Sequence, residues 1–260
     1  MGNNIIRDRI AAAGGRALNI YFTAGYPTID SIPTIISSLE KSGVDLIELG
    51  MPYSDPLADG VTIQNSSRVA LDNGLNLKFL FEQIEEARKS TSIPIIMMGY
   101  FNQLLQYGVD DFLKLASKNG VSGMIIPDLP MDIYERDYKA MFEEHNLTIS
   151  FLISPMTSDE RIRQADRLSS AFIYVVSQSS ITGKKGDISE LQKSYFNRIE
   201  SMGLNSPRLI GFGIHDNKTF ETACNYSNGA IVGSAYIRAL GDTDDIAETT
   251  ASFIKSIKNK

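Results

Sequence analysis

The chain has 260 residues, 43% hydrophobic and 22% charged, with a formal net charge of −6. That length fits one large domain, residues 1–260, that needs no disulfide or metal staple, and the acidic balance argues against a nucleic-acid or anionic-membrane surface. Cys224 is the single cysteine, which excludes an intramolecular disulfide; with no apolar run of bilayer length and no h-region at the start, the expectation is a cytoplasmic protein.

Residues 3–13 read as a short amphipathic helix stopped by Gly14-Gly15, and residues 17–22 as a first strand closed by Thr23-Ala24-Gly25-Tyr26-Pro27. Residues 30–42 have helical spacing (Ile32, Ile35, Ile36, Leu39) and stop at Gly43, a suitable residue after a helix end. The apolar run 44–49 is a second strand ending on Glu48, and a long loop leads to helical segments at 62–73 and 76–90, split by Asn73-Gly74. Residues 93–98 form the third strand, 108–119 a helix, 123–126 the fourth strand and 132–145 a helix. The fifth strand covers 147–153, a helix 158–168 and the sixth strand 171–176, before a second long loop rich in Gly, Ser and Lys at 177–187. A helix at 188–202, a strand at 207–211, a helix at 216–226, a strand at 229–232 and a helix at 244–258 complete the chain.

Eight strand-then-helix units are the pattern of an α/β fold of the (β/α)8 TIM-barrel type, here with an extra N-terminal helix. A doubly wound open sheet is the structural competitor. It usually has fewer units and a G-x-G-x-x-G run after its first strand, which is absent here.

In a barrel the chemistry sits at the C-terminal ends of the strands. Those ends hold Tyr21, Glu48, Tyr100, Asn102, Asp128 and Ser177, together with Thr182, Gly211-Phe212-Gly213 and Gly233-Ser234. The loop 51–61 is longer than the roughly 2–6 residues usual between strand and helix, and it carries a second carboxylate, Asp59. Period two puts Leu46 and Glu48 on one face of their strand and Ile47 and Leu49 on the other. Both faces of a barrel strand are covered, so a carboxyl there is buried and its pKa rises, which suits a proton donor. A structural carboxylate held by a tyrosine or an arginine is the competing reading for Glu48, and an exposed turn residue the competing one for Asp59. Asp55, in Ser54-Asp55-Pro56, reads as a turn former.

Gly211-Phe212-Gly213-Ile214 follows the seventh strand and Gly233-Ser234-Ala235 the eighth, where barrels commonly hold a substrate phosphate on backbone amides and a helix N-terminus. Thr182-Gly183 adds a hydroxyl and another amide; plain turn glycines are the alternative. The two histidines, His145 and His215, and one cysteine do not supply a His-rich catalytic zinc site, and no lysine stands at an inner strand end for a Schiff base. What remains is a cofactor-free reaction run by carboxylates on a phosphorylated small molecule.

The run Glu48 to Gly60, ELGMPYSDPLADG, with Thr62-Ile63-Gln64-Asn65 after it, resembles the tryptophan synthase alpha subunit family. Tyr100-Phe101-Asn102, Pro127-Asp128-Leu129-Pro130, Thr182-Gly183, Gly211-Phe212-Gly213 and Gly233-Ser234 follow in the family's order. The resemblance implies retro-aldol cleavage of indole-3-glycerol phosphate to indole and glyceraldehyde 3-phosphate, without metal or organic cofactor. It also implies a β-subunit partner in an α2β2 assembly, which takes the indole through a tunnel to its own pyridoxal-phosphate site. Glu48 would be the acid and base, and Asp59 the acceptor for the indole N–H. Tyr21, Tyr100, Ile125, Ile153, Tyr174, Phe212 and Ile231 would wall the indole pocket. Thr182, Gly183, Gly211, Phe212, Gly213, Gly233 and Ser234 would hold the phosphate. Two stretches depart from the family pattern: Val61 stands where a proline is usual, and Ser177-Gln178-Ser179-Ser180 replaces the usual Ser-Arg-x-Gly. The changed loop leaves room for a second reading, a weakly active barrel that serves mainly to activate the β subunit. Another phosphate-binding barrel would need a Lys or Cys at the first or eighth strand end, where Tyr21-Phe22-Thr23 and Val232-Gly233 stand.

Overall fold

A computed structural model describes residues 4–56, 59–177, 190–211 and 213–259. Among the described residues nine parallel strand segments make one sheet: β1 (Ala17–Thr23), β2 (Leu46–Gly50), β3 (Ile95–Met98), β4 (Gly123–Ile125), β5 (Thr148–Ser150), β6 (Leu152–Ile153), β7 (Ile173–Val176), β8 (Arg208–Gly211) and β9 (Gly229–Val232). Their order is β5-β4-β3-β2-β1-β9-β8-β7-β6, so the two ends of the sheet, β5 and β6, meet across a single residue, Phe151. The expected fifth strand is thus the seam of a closed barrel rather than one continuous element. It breaks because the Phe151 N–H goes to the Ser169 hydroxyl at 3.1 Å and the Ile149 N–H to the Ser170 hydroxyl at 2.9 Å, in place of strand carbonyls.

Alternation along the strands separates two apolar layers. Ile20, Ile47, Leu49, Ile95 and Met97 face the helices, while Leu46, Ile96, Ile125, Tyr174, Leu209 and Ile231 fill the interior. The N-terminal helix, Ile5–Ala12, closes the N-terminal end of the barrel: Ile6 and Ile10 are buried and belong to the interior cluster. Arg7 ties that helix down, donating to the Ala171 and Ser169 carbonyls and to Ser206 Oγ.

Two segments differ from the sequence expectation. A short helix, Phe101–Tyr107, precedes Val109–Lys118, and its first N–H is capped by Asp128 Oδ1 at 2.8 Å, a partner 27 residues away that no local pattern announces. The helix expected over 132–145 is interrupted by a π-helical turn at Tyr134–Tyr138, where the Tyr134 ring packs edge-on against Phe142 and Phe151. The short helix expected to open at Gly233-Ser234-Ala235 is found at Ser234–Gly241.

Candidate active site

Along β2 the side chains alternate, Leu46 and Glu48 point inside, and Glu48 is fully buried beside Tyr21, its register partner on β1. Burial pushes its carboxyl up to about 8 from the ordinary 4.5; a hydrogen bond from Asn19 opposes the shift and the charge of Asp59 adds to it. Asn19 Nδ2 donates to Oε2 at 3.0 Å, while Oε1 has no partner among the described residues. Glu48 therefore holds a proton near neutrality, in a place where only one oxygen is engaged. Among the described residues no arginine or tyrosine hydroxyl is hydrogen-bonded to it.

Asp59 comes from the loop after β2 and is partly buried at the same mouth, near enough for its charge to reach Glu48, Tyr21 and Tyr174. Its carboxyl is raised by burial, and the Tyr100 hydroxyl, donating to Oδ2 at 3.1 Å, holds that rise back. The loop is pinned to the helix Phe101–Tyr107 at three points. Gln103 Nε2 donates to the Pro52 carbonyl at 3.0 Å, Asn102 Nδ2 donates to the Tyr53 hydroxyl at 3.0 Å, and the Tyr53 ring stacks on Tyr100 with centroids 5.0 Å apart. Asp55 is exposed and accepts a hydrogen bond from the hydroxyl of its neighbour Ser54. Val61 is the first residue of the helix Val61–Asp72 and is 73% exposed.

Tyr21 and Tyr174 fill the mouth from either side. Both are buried, and burial raises both hydroxyls well above the usual tyrosine range, so they stay neutral. Each ring lies over a glycine at the end of a strand: a Cβ on Gly50 would overlap Tyr21, and one on Gly211 would overlap Tyr174. Ile125 and Ile231 belong to the same interior cluster. Ile153 does not. It pairs with Val175 and packs in the outer layer, whereas Leu152, paired with Tyr174, packs on the interior; the break at Phe151 leaves the strict alternation intact, and the inward place is Leu152's.

On the far rim, Gly211 ends β8 and Gly213 has φ 84°, a left-handed conformation open to glycine at little cost. Gly233 follows β9 and caps the helix Ser234–Gly241, whose first-turn N–H groups have no intrahelical partners. Because β8 and β9 are neighbours, the two glycine loops leave the barrel side by side. Ser177 lies under this rim, its hydroxyl donating to the Gly211 carbonyl at 2.9 Å. Thr182, Gly183 and Phe212 lie outside the described residues. The histidines are elsewhere engaged: His145 Nε2 is 2.8 Å from Asp110 Oδ1, and His215 Nδ1 is 2.7 Å from the Gly213 carbonyl. Sequence reasoning passed over Asn19 and Leu152, though alternation along their strands places both inside.

A closed parallel barrel with a buried glutamate inside its C-terminal mouth and glycine loops after the last two strands defines a (β/α)8-barrel enzyme. The chain matches the family described as "Tryptophan synthase alpha chain" over residues 8–259, and it belongs to that family. It is 51% identical to the tryptophan synthase alpha chain of Flavobacterium psychrophilum over 93% of this chain and 95% of that one, and 44% identical to that of Phocaeicola vulgatus, covering 93% and 94%. Among solved structures it is similar to the tryptophan synthase A-subunit of Pyrococcus furiosus, with TM-score 0.86, 30% identity and coverage of 95% and 98%.

Proposed function

We propose that Glu48 and Asp59 form the acid–base pair of an indole-3-glycerol phosphate lyase acting in tryptophan biosynthesis. The lyase reaction and the β-subunit partner follow from membership of the family; the roles of the residues are the reading offered here. Glu48, protonated, donates to the indole ring carbon that bears the side chain. As the bond between that carbon and the glycerol chain breaks, Glu48 takes up the proton of the neighbouring glycerol hydroxyl, so no net proton is consumed. Asp59, ionised and held by Tyr100, accepts a hydrogen bond from the indole N–H and stabilises the positive charge on the protonated ring. The amides around Gly213 and at Gly233-Ser234 hold the phosphate, and binding at that remote end orients the reacting carbon. Thr182, Gly183 and Phe212 complete the cradle and the indole wall in this reading.

The observation that carries it is the fully buried Glu48 carboxyl, whose Oε1 has no partner among the described residues and whose pKa burial pushes up to about 8. An acid tuned to the working pH transfers protons efficiently in both directions, and such a group is commonly worth about 10²–10⁴ in rate. The test is indole release from indole-3-glycerol phosphate by Glu48→Gln with the β subunit present. The variant is expected to fold and bind substrate while turnover drops by at least about 10²; an unchanged rate sinks the assignment.

A single catalytic barrel, working without metal or organic cofactor in an α2β2 assembly in the cytoplasm, is the setting proposed for this reaction. Among the described residues no helix is long and apolar enough to cross a membrane.

A further inference from the structure

Asn19 stands inside the barrel, fully buried, at a position of β1 whose register partners on the neighbouring strands are Leu46 and Ile231. An amide among aliphatic side chains costs free energy unless its polar atoms are used. Its Nδ2 donates to Glu48 Oε2 at 3.0 Å, while Asn19 Oδ1 and Glu48 Oε1 have no partner among the described residues. The register gives that contact a direction. Asn19 pairs with Leu46 and Tyr21 pairs with Glu48, so Asn19 sits one inward layer deeper than the carboxyl. The amide reaches Glu48 from below and engages Oε2, and Oε1 is the oxygen left for the mouth.

We infer that Asn19 is a positioning residue for the acid–base step, holding Glu48 by Oε2 so that Oε1 is the atom that carries and delivers the proton. The inference rests on the assignment of Glu48 as the acid. In the protonated acid the carbonyl oxygen is the stronger acceptor, so an N–H donor on Oε2 favours the proton on the other oxygen. The same donor favours the ionised form, and it is the one contact that offsets the burial of Glu48. Remove it, and the carboxyl becomes both a weaker acid and a less constrained one.

The test compares wild type, Asn19→Leu and Glu48→Gln, each in complex with the β subunit, for indole release across pH. Leucine is close to asparagine in size and has no donor. Asn19→Leu is expected to lose kcat by roughly tenfold with KM nearly unchanged, and the basic limb of its pH profile should move up by about one pH unit. The sign follows from the hydrogen bond: losing a donor to the ionised form raises the carboxyl pKa, so the protonated acid persists to higher pH. If Glu48→Gln is inactive but Asn19→Leu keeps the wild-type kcat and profile, the positioning role is overturned and the acid stands. An active Glu48→Gln would overturn the assignment beneath it. Should Asn19→Leu fail to fold, the side-chain amide resonances of isotope-labelled wild type decide the matter. The Asn19 signal must move with the titration of Glu48 and stay still in Glu48→Gln, and a signal that never moves refutes the contact.

Discussion

The Tyr100 hydroxyl donates to Asp59 Oδ2 at 3.1 Å, joining the residue that caps the helix after the third strand to one 41 positions earlier in a loop. A loop carboxylate is thereby held against a rigid edge, with Tyr53 stacked behind the same ring. Removing the hydroxyl with Tyr100→Phe leaves the packing and takes away the donor. Burial already raises the Asp59 carboxyl and Tyr100 opposes it, so the variant's Asp59 titrates higher still. In the proposed mechanism Asp59 acts ionised, so the acid limb of the activity profile should move to higher pH, with kcat down by about tenfold. A pH profile that superimposes on wild type would separate Tyr100 from Asp59 function.

Glu48 also makes stability depend on pH. Its folded pKa, about 8, lies above the ordinary 4.5 expected in the unfolded chain. Below the unfolded value both states are protonated and nothing is lost. As pH rises from there through the folded value, the unfolded chain ionises first and the fold loses stability, by on the order of a few kcal/mol in all. Glu48→Gln has no such term. Its Tm should match or approach wild type in mild acid and exceed it by a growing margin towards pH about 8; a margin that stays flat over that window contradicts the buried, protonated state.

Gly50 leaves the space that the Tyr21 ring occupies. Gly50→Ala forces the ring or the strand to move, at a cost of about 1–3 kcal/mol in urea unfolding. In a Tyr21→Leu background the new methyl meets no phenol, so the same substitution should cost less. Additive effects in this double-mutant cycle would mean that the two residues do not share the space.

Ile6 and Ile10 seal the end of the barrel away from the chemistry. Ile6→Ala should lower the unfolding free energy by roughly 2–4 kcal/mol, the cost of an unfilled buried site. The pH dependence of indole release should be that of wild type, because no element of the mouth moves. A shifted profile would show that the two ends are coupled.

Much of this protein is written locally. Alternation at Leu46-Ile47-Glu48-Leu49 puts a carboxyl inside, helical spacing with glycine stops counts the units, and the paired glycine loops mark the rim, because burial and turn geometry depend on neighbours a few residues away. The order of nine strand segments around the barrel then agrees with those eight units. Other features depend on residues that only folding brings together. The Asn19 contact with Glu48 needs the β1–β2 register, the helix at Phe101–Tyr107 needs Asp128 from the next strand end, and the break at Phe151 needs the Ser169 hydroxyl. Tyr21 over Gly50 and Tyr174 over Gly211 likewise require two strands to lie at one height. Local periodicity decides which face a side chain takes; strand register decides which side chain it meets, and the chemistry at Glu48 is set by that second choice.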